Sequence, residues 1–155
     1  MSVRLEVARE LRASPERVWD ELVDWHGQDR WIPLTHVRVV GGRSTGLGVR
    51  VSALSGFRVG RVPVGLLDRF VVTGWTPPGA GPGELAVLHL GPYFTGEGSF
   101  RVLPDPVGAR LVCTELFSVP GGAPVESLLR LALPVMRRGF AASLDDFAAI
   151  VERPA

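Results

Sequence analysis

APVESLLRLALPVMRRGFAASLDDFAAIVE, residues 123–152, is the stretch whose reading decides the fold. Leu129, Leu133, Met136, Phe140, Leu144, Phe147 and Val151 recur at steps of three or four. That spacing places them on one face of a helix. A long helix with one apolar face needs a second surface on which to bury it. Pro134 interrupts the run and predicts a kink there, or the true start of the long helix, because proline has no N–H to give the preceding turn.

The second surface lies upstream. Segments 35–40, 49–54, 66–75, 85–90, 99–103 and 110–119 read as strands. Gly and Pro clusters separate them, at Gly41-Gly42, Gly60, Pro77 to Gly83, Gly91-Pro92 and Pro104 to Gly108. Short punctuated turns with no helix between strands predict an antiparallel meander and argue against a parallel sheet. At the start, Val3, Leu5 and Val7 alternate with charged residues as in a half-buried strand. Ser14 then offers an N-cap and Pro15 the first helical position, with Val18, Trp19, Leu22 and Val23 at helical spacing through Asp24. Residues 25–33 read as a short turn or second helix. The whole is an α+β chain, predicted as one domain over residues 1–155. A curved seven-stranded antiparallel sheet wraps the C-terminal helix, with one or two short helices after strand 1. The space between sheet and helix is the natural pocket.

Composition fits this reading. A chain of 155 residues suits one domain, and at that size burial suffices without staples. All 17 basic residues are Arg, and they are scattered, with only Arg137 and Arg138 adjacent. A nucleic-acid binder would show a basic stripe, so no nucleic-acid partner is expected. Cys113 is the single cysteine, which excludes an intrachain disulfide and a cysteine-based metal cluster. The N-terminal stretch lacks the apolar core of a signal peptide, and no run reaches the roughly 20 apolar residues of a membrane span. These readings predict a cytoplasmic protein, monomer or homodimer, with no integral membrane segment.

Ala13-Ser14-Pro15-Glu16-Arg17-Val18-Trp19, with Asp24 and Trp31-Ile32-Pro33, resembles the start of the START-like proteins. That superfamily, also called SRPBCC, includes the polyketide cyclase/dehydrase and lipid-transport group. The element order matches its helix-grip fold along essentially the whole chain. Leu67-Asp68, Trp75-Thr76-Pro77-Pro78, His89-Leu90-Gly91, Gly96-Glu97-Gly98-Ser99-Phe100, Glu115 and Pro120-Gly121-Gly122 are similar to a set of bacterial members. The resemblance implies a pocket for a hydrophobic ligand such as a lipid, quinone or aromatic polyketide. It supplies no catalytic list, because fold does not settle function.

Strand parity predicts the pocket wall. Gly96, Gly98, Phe100 and Val102 face the helix on one strand; Leu111, Cys113, Glu115 and Phe117 on the next; Leu66, Asp68, Phe70 and Val72 on a third. Hairpin counting sharpens this. If the turn Gly91–Gly96 pairs its ends, His89 lies opposite Gly98; if Pro104–Ala109 does the same, Gly98 lies opposite Glu115. His89 and Glu115 would then sit roughly 10 Å apart at the backbone, across a residue with no side chain. They could meet directly or through water, with Asp68 nearby. Such a cluster could shuttle a proton or orient a ligand hydroxyl or carbonyl. The plain alternative is that the buried polar groups satisfy one another and fix the register.

The expected ligand-facing residues are Asp68, Phe70, Val87, Phe100, Cys113, Phe117, Leu133, Met136 and Phe140, with Trp31 near the mouth. Helical apolar stripes are more often packing than binding, and Trp19 is read as core. Cys113 in an apolar site is expected to be inert. His26 and His36 read as exposed, and no histidine has the spacing of a metal ligand pair. No serine lies in a nucleophile elbow and no glycine run opens a helix after a strand, so no metal and no cofactor are implied. Three functions remain: a carrier of an apolar or aromatic small molecule; a cyclase, aromatase or dehydratase using His89 and Glu115 for proton transfer; and an interaction module with an apolar groove.

Overall fold

The computed structural model describes residues 2–59 and 61–154; Gly60, read as a turn, lies outside the described residues. Strands β1 (Val3–Leu11), β2 (Thr35–Val40), β3 (Arg50–Val59), β4 (Val62–Thr76), β5 (Gly83–Pro92), β6 (Thr95–Asp105) and β7 (Gly108–Ser118) form one antiparallel sheet in the order β1-β7-β6-β5-β4-β3-β2. Helix α1 (Pro15–Leu22) and a 3₁₀ helix (Trp25–Arg30) follow β1, and helix α2 (Gly122–Val151) ends the fold. This is the predicted α+β helix-grip arrangement. Several strands run longer than the sequence suggests, β6 most of all, with β4 next.

Local chemistry starts α1 as predicted: the Ser14 hydroxyl accepts a hydrogen bond from the Arg17 N–H at 3.2 Å, and Pro15 sits at the first turn. The sheet curves where β4 slips against β5, between Asp68 and Phe70 and again between Val72 and Gly74. An extra residue on one strand bends it and increases its twist.

Helix α2 runs unbroken through Pro134. Its two halves differ. Leu144, Phe147, Ala148 and Val151 are buried against the sheet. That end is also tied by an Arg9–Asp145 ion pair at 2.6 Å and by the Arg12 N–H donating to Glu152 Oε1 at 2.9 Å. In the first half Leu129, Leu133, Met136 and Phe140 point inward as predicted but are only half-buried. Leu128, Leu131 and Val135 lie on its exposed side. The helix is therefore clamped at its C-terminal end and bridges a hollow at its N-terminal end.

Candidate functional site

The hollow has two parts. An inner chamber of about 190 Å³ has walls of Trp25, Trp31, Phe70, Val87 and Phe100, with Gln28, Thr35 and Ser55 as polar points. An outer chamber of about 420 Å³ lies under the first half of α2, against Leu5, Tyr93, Phe117, Leu129 and Met136. Leu66, Asp68, His89, Phe94, Glu115 and Phe140 line both chambers.

Three of those shared residues form one polar cluster. His89 Nδ1 lies 3.0 Å from each oxygen of Asp68, and Nε2 lies 3.1 Å from Glu115 Oε2. His89 is 8% exposed, which is low enough that these bonds are made largely out of water. Its ring also packs against Phe94 at 5.1 Å and Phe70 at 5.8 Å. A carboxylate can only accept, so both ring nitrogens donate and His89 is an imidazolium. Burial pushes its pKa down, but the hydrogen bonds to Asp68 and Glu115 and then the charges of both outweigh it, leaving the pKa at about 9.

The backbone explains the meeting. His89 pairs with Gly96, not Gly98 as hairpin counting predicts, whereas Gly98 does pair with Glu115. The correction is two residues. Pairing with β6 begins at Leu90 and Thr95, so the four residues Gly91 to Phe94, the first two still within β5 with Pro92 paired to Asp68 of β4, make the connection, turned at Gly91 with φ +90°. A shift of two keeps every side chain on its predicted face. Gly98 still provides the gap: a Cβ there would come within 2.9 Å of both Glu115 oxygens and of a Val87 methyl. The β4 slip does the rest. Phe70 faces His89 across the pair while Asp68, one irregular step away, faces Pro92 and brings its carboxylate to Nδ1.

The other predicted residues divide. Phe70, Val87, Phe100 and Trp31 stand in the inner wall, Phe117 and Met136 in the outer, and Phe140 in both. Trp31 is not a rim residue: it is buried, its Nε1–H has no acceptor, and it meets the Phe147 ring edge to face at 5.1 Å. A π face is a weak acceptor for such a group. Leu133 packs against the Val3, Leu5 and Phe117 cluster. Cys113 faces inward but is enclosed in the packed core, where burial and then the Glu115 charge push its thiol well up. His26 and His36 are exposed. Sequence reasoning missed Phe94, a loop residue without period, and Gln28, Thr35 and Ser55. The Trp25-to-Arg30 stretch, with its two flanking tryptophans, was the signal for Gln28.

A pH dependence follows from the imidazolium. The folded pKa of about 9 exceeds the ordinary 6.5, so the stabilisation is complete below pH 6.5 and is lost as the pH climbs through about 9. The expected loss is about 3 kcal/mol. Urea unfolding across this range checks it; a flat profile would show that His89 is not held in its charged form, and His89→Gln should flatten the curve.

Residues 2–152 match the family described as polyketide cyclase / dehydrase and lipid transport. Comparison with curated protein sequences finds no match. Among solved structures, the ZhuI aromatase/cyclase from Streptomyces sp. R1128 superposes with a TM-score of 0.74 at 17% identity, over 99% of this chain and 95% of its own. TTHA0849 from Thermus thermophilus gives 0.73 at 19% identity, over 96% and 97%. The Helicobacter pylori protein jhp0584 gives 0.74 at 17% identity, over 99% and 88%. At these identities the likeness shows the fold.

Proposed function

The chain belongs to the polyketide cyclase / dehydrase and lipid transport family, and from that premise we propose that it binds a hydrophobic or aromatic small molecule between sheet and helix. The observation that carries this reading is the unfilled hollow under α2, apolar in both chambers, with one polar cluster where they meet. Ligand sites are concave and mostly apolar, with a few convergent polar groups. No helix among the described residues is long and apolar enough to cross a membrane.

Thermal-shift and tryptophan-fluorescence titrations with quinones, sterols and polycyclic phenols test the proposal. Binding should raise the melting temperature in proportion to occupancy. Met136→Trp, which grows into the outer chamber, should weaken binding at least about tenfold while the free protein still folds. Indifference to every ligand class in both proteins would refute the carrier reading.

The second reading is an enzyme of the cyclase or aromatase kind. Its support is the placement of a histidine and two carboxylates, side chains of the acid–base type, at the centre of the cavity. Against it, a group with a pKa of about 9 and both N–H groups engaged is not poised for proton transfer near neutrality. Turnover of a polyketide-like substrate that disappears in His89→Gln while binding persists would favour this reading over carriage.

A further inference from the structure

We infer, on the basis of the ligand-binding reading above, that the Asp68–His89–Glu115 cluster selects a ligand bearing an uncharged O–H donor, a phenol or an alcohol, and rejects one bearing a carboxylate. The argument is a count of donors and charges. An imidazolium has two N–H groups, and both are taken, at 3.0 Å by Asp68 and at 3.1 Å by Glu115. Each carboxylate has about four lone-pair directions, so acceptors remain on both and none of the ring's donors does. Two carboxylates around one imidazolium also leave one negative charge in a cavity with apolar walls.

The rest of the wall offers neutral donors, the Tyr93 hydroxyl and the second Gln28 amide hydrogen among them, but no cation. Trp25 gives its N–H to the Ser44 carbonyl at 2.9 Å, and Gln28 gives an amide hydrogen to the Leu22 carbonyl at 3.1 Å. The Thr35 hydroxyl donates to the Pro33 carbonyl at 3.2 Å, which leaves the Ser55 hydroxyl to donate to Thr35 at 2.9 Å. The unpaired Trp31 N–H is sealed within the wall. Every cationic side chain apart from histidine is an Arg, and no Arg is among the described residues lining either chamber. A carboxylate ligand would meet a like charge with no cation to receive it, a repulsive element of the kind that sets specificity. An O–H at the shared wall would instead donate to Glu115 or Asp68, its apolar parts lying in the chambers on either side.

The test uses three matched probes on the whole protein at neutral pH, by isothermal titration: meta-pentylphenol, meta-pentylbenzoate and pentylbenzene. The phenol is expected to bind at least about tenfold tighter than the benzoate, and tighter than pentylbenzene. Glu115→Gln removes the excess negative charge and should shrink the phenol-to-benzoate ratio to less than about threefold; Asp68→Asn gives the same readout should the first variant not fold. Pentylbenzene binding together with a benzoate as tight as the phenol would overturn the selectivity and leave the carrier reading intact. A ratio unchanged in a folded Glu115→Gln or Asp68→Asn variant would also overturn it, since the cluster would not be its source. Failure of all three probes to bind would overturn the selectivity, while the carrier reading stands or falls on the quinone, sterol and polycyclic-phenol titrations above.

Discussion

Replacing His89 by Ala should destabilise the protein by about 3–5 kcal/mol at neutral pH, the penalty for leaving buried charge without its partner. The side chains of Asp68 and Glu115 are 17% and 14% exposed, too little for water to replace the imidazolium. In the variant, two carboxylates would face each other across an apolar cavity. Like charges so placed raise the pKa of at least one of them. The deficit should therefore shrink as the pH falls and the pair takes up a proton. Adding Asp68→Asn and Glu115→Gln to the His89→Ala background should restore part of the lost stability, because it removes the repulsion while keeping the shapes. Denaturant unfolding at neutral and mildly acidic pH reads both effects. A loss below about 1 kcal/mol, independent of pH, would mean that the cluster is incidental to folding.

Gly96→Ala should be at least as damaging. Gly96 has a φ of +146°, and a Cβ there would lie 1.9 Å from the Leu116 carbonyl oxygen and 2.7 Å from the Phe117 Cα. Those atoms are backbone of the paired strand, so no side chain can move aside. β6 would have to part from β7 at the point where Gly96 pairs with Phe117 and, two residues on, Gly98 with Glu115. The expected loss is about 3 kcal/mol or more. The variant should also lose binding of whatever ligand the cavity takes, because Glu115 would no longer face His89. A folded Gly96→Ala protein of wild-type melting temperature would contradict this strand register.

How far the sequence carries can be judged from these same residues. The inward face of α2 and the inward sets on β4, β6 and β7 follow from periods of 3.6 and 2, which a chain displays whatever surrounds it. The pairing of Gly98 with Glu115 was also within reach, since the turn after Pro104 is short enough to be counted. The pairing of His89 was not, because the four-residue connection Gly91 to Phe94 has no composition that sets its length. Parity survived that error only because the slip was an even number. Asp68 was expected near His89, but its direct bond depends on the irregular step to Phe70, which nothing in the β4 sequence marks.

By itself, then, the chain's order of apolar and polar residues determined one long amphipathic helix, a meander of strands, and which side chains turn inward. Each of those depends on neighbours a few positions away. The tertiary structure alone decided that His89 carries its proton between two carboxylates, that Cys113 belongs to the packed core, and that α2 is clamped at one end over a hollow at the other. Those outcomes depend on distances between residues tens of positions apart, set by strand slips, loop lengths and the fit of one surface on another. Local periodicity holds no record of them.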